Sequence, residues 1–218
     1  MSNAVLFDMD GLMLDTQLTW IEAEKRLLSD FGQAYSHAIA RQYQGMRVAG
    51  VVEVMIREYN IGVTQSEGER LLTEYLVANF EHPDLSLFEG CRELMHDLHR
   101  ANLPLAIASS SPSAAIHAMA RRFELTSYFD LILSGEEVPE GKPAPDVYLK
   151  AAQILKVDPH DCVVLEDAPH GALAGKRAGM KVVAVTNARF YTAADFSGLA
   201  DLVVASLNDL EPAMLANL

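Results

Sequence analysis

The sequence has little cysteine, little basic charge and no long apolar run, and each shortage closes off a class of function. Its two cysteines, Cys91 and Cys162, stand alone and far apart. That is neither a zinc-ligand nor a redox spacing, so two buried free thiols are expected. Lysine and arginine total 17 against 30 aspartates and glutamates, giving a formal net charge of -13 and a pI near 4.9. An acidic surface argues against nucleic acid or an anionic membrane as partner, and any basic residue in a phosphate site must act locally. No apolar run approaches the ~18 residues of a membrane span. The N-terminal stretch reads as a core strand instead of a signal peptide. Internal repeats and low-complexity segments are absent as well. A soluble chain in a reducing, cytoplasmic setting is expected.

What is present is ordinary globular composition, 50% hydrophobic and 22% charged over 218 residues. That length allows one or two domains with a substantial core. The chain is organised around one stretch, V-L-F-D-M-D-G-L-M-L-D-T, residues 5–16. Val5, Leu6 and Phe7 read as a buried strand. Asp8 and Asp10 then lie at its carboxyl end, and Gly11 permits a turn there. Residues two apart on an extended chain point the same way, so two carboxylates converge on one spot. Like charges that close need a cation or a shared proton between them. A hard divalent metal with oxygen ligands is the natural occupant.

After Thr16, a plausible N-cap, the pattern turns helical. Trp20, Ala23, Leu27, Leu28 and Phe31 share one face, and Gly32 stops the helix. A second helix is expected over 47–59. A third opens at Thr64, with Glu67 three residues on as a capping box, and runs to Phe80. From about residue 88 the grammar changes to alternation. Helix 90–101 leads to strand 103–108, then come a helix to Arg122, strand 130–133, helix 146–156, strand 161–165, a small-residue helix, strand 181–185 and a last strand near 202–204. Strands separated by helices imply a doubly wound, Rossmann-like parallel α/β sheet covered on both faces. The expected organisation is a core of residues 1–15 plus 88–218, with an all-helical cap, 16–87, inserted after the first strand. Ligands in such sheets bind off the carboxyl ends of the strands, so an insert rooted there is placed to act as a lid.

Four polar clusters fall at that edge. Asp8 and Asp10 form the first. Ser109 and Ser110, ending strand 103–108, offer hydroxyl and N–H donors suited to phosphate. Lys142 sits in the stiff loop G-K-P-A-P. Glu166 and Asp167 close strand 161–165. Any one of them reads equally as a turn, a cap or a solvated side chain. Together they supply a carboxylate nucleophile, a metal site, donors and a cation, which are the parts of a phosphoryl-transfer site.

D-M-D-G-L-M-L-D-T, S-S-S at a strand end, G-K-P-A-P-D-V-Y and L-E-D-A-P-H-G-A-L-A-G-K-R-A-G-M stand in this order across the core. In this the sequence resembles the haloacid dehalogenase superfamily, and within it the β-phosphoglucomutase/phosphatase subgroup with a helical cap. The resemblance implies Asp8 as nucleophile, forming an aspartyl phosphate. It implies Asp10 as general acid/base, with its backbone carbonyl on Mg2+. It implies Ser109 and Ser110 on the phosphate, Lys142 offsetting charge, and Asp167 with Glu166 completing a metal site that begins with Asp8 and Asp10. Asp15–Thr16 and residues 85–89 resemble the cap hinges. The implied activity is Mg2+-dependent hydrolysis of a small phosphorylated metabolite, a sugar or nucleoside phosphate; since the cap covers the site within one chain, a monomer suffices.

The second aspartate argues against dehalogenase chemistry. Mutases of the subgroup carry a histidine near the position of Trp20, where this sequence reads Q-L-T-W-I. A phosphosugar mutase is therefore the alternative, and a non-catalytic phosphate-binding module a third reading. Gln17, Trp20 and, in the cap loop Gln44-Gly45-Met46-Arg47, Arg47 are the expected substrate-facing residues, with Arg47 reaching a polar or anionic group. His96 and His99 are read as surface residues, and His170 has no assigned role.

Overall fold

The computed structural model describes residues 4–40, 42–43, 46–82, 85–186 and 191–218. Gln44 and Gly45 of the cap loop lie outside them. The first strand, β1 (Ala4–Phe7), leads directly into a helical insert. The insert comprises α1 (Gln17–Asp30), α2 (His37–Ala40), α3 (Val48–Tyr59) and α4 (Gln65–Phe80). The alternating half follows as α5 (Cys91–Arg100), β2 (Leu105–Ser109), α6 (Ser113–Arg122), β3 (Leu131–Ser134), α7 (Asp146–Leu155), β4 (Cys162–Glu166), α8 (Pro169–Arg177), β5 (Lys181–Val185), β6 (Leu202–Val204) and α9 (Pro212–Ala216). The strands form one sheet in the order β3-β2-β1-β4-β5-β6, parallel at every pairing.

The period of two in the strands builds both layers of core. Val5 and Phe7 of β1, Leu105 and Ile107 of β2, and Val163 and Leu165 of β4 face one cluster with Met95 of α5 and Met119 of α6. Ala4, Leu6, Ala106, Ala108, Cys162 and Val164 face the opposite cluster with Tyr148 of α7 and Ala172 of α8. Both cysteines are free and buried, as expected. The helical insert has a third cluster of its own, centred on Leu27, Leu28, Val52, Met55, Leu72 and Leu76.

Three of the expected strands, β2, β3 and β4, end one residue later than their apolar runs. Ser109 pairs with Ser134, and Glu166 with Ala184. Backbone pairing continues past the last apolar side chain, because the ladder is indifferent to side-chain polarity. Two short helices, α2 and α9, are too brief for a periodic signal. Thr16 occupies the N-cap position without a side-chain cap bond, and the Gln17 N–H is taken instead by the Asp15 carboxylate at 3.4 Å. Thr64 does cap α4, accepting from the Glu67 N–H, but the Glu67 carboxylate pairs with Arg70 and does not turn back to complete a box.

The two chain crossings into and out of the insert run side by side. Leu14 bridges Leu87 in antiparallel fashion, and the Phe88 N–H donates to the Met13 carbonyl at 2.8 Å. On one flank, the Arg122 guanidinium of α6 donates to the carbonyls of Phe80 and Leu85. At the other, Arg47 crosses from the insert to the loop after β3.

Candidate active site

Asp8 leaves β1 at the carboxyl edge of the sheet, with its N–H bonded to the Leu165 carbonyl of the neighbouring strand. Its carboxylate is buried and accepts from Lys142 Nζ at 2.6 Å. The same ammonium donates to Glu166 Oε1 at 2.6 Å and lies 4.7 Å from the Tyr148 ring centroid. Tyr148 in turn donates its hydroxyl to Glu166 Oε1 at 2.7 Å. Lys142 is thus clamped between two carboxylates over an aromatic face, which holds its charge well above the ordinary ammonium range despite burial. Burial pushes Asp8 up to about 8, against the downward pull of Lys142. Asp167 is pushed up for the same reason, reinforced by Glu166, Asp8 and Asp10.

Asp10 is held separately. Ser109 Oγ and Ser111 Oγ donate to its Oδ2 at 3.1 and 2.7 Å, and Trp20 Nε1 donates to its Oδ1 at 3.2 Å. The Ser109 hydroxyl also accepts from the Ser111 N–H at 3.0 Å. Ser109, expected on the phosphate, is therefore fully buried and turned onto Asp10, while Ser110 and Ser111 line the cavity. Ser111, the last serine of the run, was not singled out in the sequence, because three serines at a helix start look alike until the turn is built.

Two glycines make room. Gly11 has φ +84°, and a Cβ there would lie 2.0 Å from Asp167 Oδ2. A Cβ on Gly171 would lie 1.7 Å from Glu166 Oε1. Both approaches fall far inside van der Waals contact, so only glycine lets the loop after β1 and the first turn of α8 close around the acids.

Asp8, Glu166 and Asp167 each offer a carboxylate oxygen within 4.8 Å of the others, a grouping that fits a divalent cation. The donor chemistry agrees, since one ammonium cannot balance Asp8, Asp10, Glu166 and Asp167 together.

The cavity above these groups has a volume of about 470 Å3 and reaches from the sheet edge into the insert. Gln17, Trp20, Ile21 and Glu24 of α1 line it at helical spacing, so one stripe of α1 faces the cavity. The adjacent face, with Ala23, Leu27 and Leu28, packs into the core of the insert. Gln17 and Trp20, expected to face a substrate, line this cavity. Arg47 does not. Its guanidinium donates to the carbonyls of Gly135 and Val138 at 2.9 Å each and of Pro139 at 3.1 Å, outside this cavity. The expectation that it reaches a substrate anion gives way to a clasp between the insert and the loop that carries Lys142. His170 lines the rim, exposed.

A family model for haloacid dehalogenase-like hydrolases matches residues 5–185. A probable pseudouridine-5'-phosphatase of Drosophila melanogaster is 34% identical over 216 residues, covering 95% of this chain and 90% of that protein. Hexitol phosphatase B of Escherichia coli K12 is 31% identical, covering 95% and 93%. The crystal structure of CbbY from Rhodobacter sphaeroides in complex with phosphate superposes with a TM-score of 0.90 at 27% identity over the full length of both chains. A parallel sheet with carboxylates, serines and a lysine gathered at one edge belongs to the phosphoryl-handling α/β enzymes. More narrowly, the chain belongs to the haloacid dehalogenase-like hydrolases and is an enzyme of their phosphatase kind.

Proposed function

We propose that the chain is a Mg2+-dependent phosphomonoesterase of small phosphorylated metabolites that works through an aspartyl phosphate on Asp8. The observation that carries this reading is the separation of the two aspartates into independent networks. Asp8 is held by Lys142, and Asp10 by Ser109, Ser111 and Trp20. In this reading Asp8 attacks and Asp10 moves protons. An Asp8 oxygen attacks phosphorus as the ester oxygen departs, taking a proton from Asp10. Water then attacks the acyl phosphate and gives its proton to Asp10, releasing inorganic phosphate and restoring Asp8. Lys142 holds Asp8 in line, with Glu166 and Tyr148 fixing the ammonium from behind. Ser110, on the cavity wall, supplies the phosphate donor that buried Ser109 does not.

Asp8 and Asp167, with the Asp10 backbone carbonyl, would hold the metal, with Glu166 beside them; its Oε1 is shared by Lys142 and Tyr148. Once bound, the cation offsets charge on the phosphoryl oxygens. The helical insert acts as the lid, latched by Arg47 and hinged where Leu14 meets Leu87.

Hydrolysis is favoured over phosphate shuttling on one sugar. Trp20 stands where mutases of this subgroup carry a histidine, and an indole N–H only donates, so it cannot relay a proton. The pseudouridine-phosphate and hexitol-phosphate relatives support a small phosphate monoester as substrate. The test is release of inorganic phosphate from p-nitrophenyl phosphate. Chelation with EDTA should abolish it, and Asp8→Asn should lower kcat by about 10^4-fold or more. Undiminished turnover in either experiment sinks the reading.

A further inference from the structure

The part of the cavity lined by the insert contains a carboxylate that the chemistry does not use. Glu24 lies one turn beyond Trp20 on the cavity stripe of α1 and is only 6% exposed. Tyr43 donates its hydroxyl to Glu24 Oε2 at 3.2 Å. Tyr35 reaches the same carboxylate from the segment before α2. All three line the cavity, and Ile21, Val51 and Trp20 add apolar wall to it. Among the described residues lining the cavity, Lys142 is the single lysine or arginine, and it is committed to Asp8 and Glu166. Arg47 is committed to backbone carbonyls.

A purely structural polar group here needs no charge, since a glutamine would accept from both tyrosines equally well. A buried carboxylate facing a cavity does two further things. It accepts hydrogen bonds from hydroxyls more strongly than a neutral group does. It also repels any anion brought beside it, and a like-charge juxtaposition removed from water is a strong element of discrimination.

We infer that Glu24, Tyr35 and Tyr43 form the leaving-group subsite, which takes a neutral, hydroxyl-rich alcohol and rejects one that carries its own carboxylate or second phosphate. The inference rests on the phosphomonoesterase reading and narrows it to monophosphates of polyols and related hydroxylated alcohols. Their hydroxyls donate to Glu24 and exchange bonds with the tyrosines, while the carbon chain lies along Trp20 and Ile21.

Trp20 is the only tryptophan of the chain, so its fluorescence reports occupancy of the cavity without turnover. The experiment titrates Asp8→Asn, with Mg2+, using glucitol 6-phosphate and 6-phosphogluconate. These two ligands differ in one terminal group, a hydroxymethyl against a carboxylate. Glucitol 6-phosphate should bind about tenfold or more tightly than 6-phosphogluconate. Adding Glu24→Gln should narrow that gap by about fivefold or more, and adding Tyr43→Phe should weaken glucitol 6-phosphate about three- to tenfold. Equal affinities, a gap that Glu24→Gln leaves unchanged, or binding of neither ligand at millimolar concentration overturns the inference. Phosphate release from p-nitrophenyl phosphate by the unmodified enzyme is scored separately. Turnover without the binding preference rejects the subsite alone, whereas the preference without turnover upholds the subsite and rejects the phosphatase reading.

Discussion

The two ends of the cavity solve the problem of buried charge in opposite ways. At the sheet edge, carboxylates are paired: Lys142 stands between Asp8 and Glu166, and Asp10 draws three side-chain donors. At the cap end, the partners of Glu24 among the described residues are neutral tyrosine hydroxyls, and burial pushes its carboxyl up to about 7. The first end is a preorganised charge network that costs little to rearrange during reaction. The second is an unbalanced carboxylate whose charge can be compensated only weakly until something with hydroxyls enters. The two ends belong to parts of the chain with their own apolar clusters, joined where Phe80 of α4 enters the core of the sheet.

Breaking the paired end has the largest expected effect. Lys142→Met leaves Asp8 and Glu166 facing each other without their cation, with all three side chains less than a tenth exposed. Removing one partner of a buried pair costs about 3–5 kcal/mol of stability. Losing the cation beside the reacting phosphoryl group should lower kcat by about 10^2–10^3-fold. Urea denaturation and phosphate release measure the two losses.

The unpaired end responds in the opposite direction. Glu24 has an ordinary value near 4.5 when unfolded and about 7 when folded, so the native state binds the extra proton. Its contribution to stability is therefore fully present below about 4.5 and is lost as pH rises through about 7. Relative to Glu24→Gln, the unmodified protein should lose on the order of 3 kcal/mol of unfolding free energy between pH 4.5 and 8. Denaturation curves at the two pH values decide this, and the difference between variants cancels every group that the two proteins share. A constant difference removes the contrast between the two ends.

The smallest effect falls where the ends meet. Trp20→Phe keeps the apolar wall but removes the donor to Asp10. Loss of one hydrogen bond to a charged group corresponds to roughly tenfold in kcat. Trp20→His, which restores a ring N–H, should recover part of that loss. A fall in kcat shared equally by both variants would mean that the indole acts only through packing.

The sheet edge was legible in the sequence because its residues are local. Asp8, Asp10, Ser109 and Glu166–Asp167 each follow an apolar strand, and the rule that ligands bind at carboxyl ends brings them to one place. The division of labour among the serines was not legible, since the turn after β2 decides which hydroxyl meets Asp10. Nor were the partners of Arg47, which lie about 90 positions away on loop carbonyls that carry no sequence signature. Trp20 does both things that its position on α1 allows, packing against the core of the insert and lining the cavity. Glu24 is hidden by the same ambiguity. Its only signal is its spacing from Gln17 and Trp20, and that becomes meaningful once α1 is known to border the cavity.

The adjacency of Leu14 and Leu87 has a consequence for modularity. A segment that leaves and rejoins the sheet at one point can be lengthened, shortened or replaced without disturbing strand order. The natural seam is not at that point, however, because Phe80 at the end of α4 is packed into the sheet's own core and its carbonyl is held by Arg122. A transplanted cap must therefore bring an equivalent aromatic plug, or the recipient core opens at its flank.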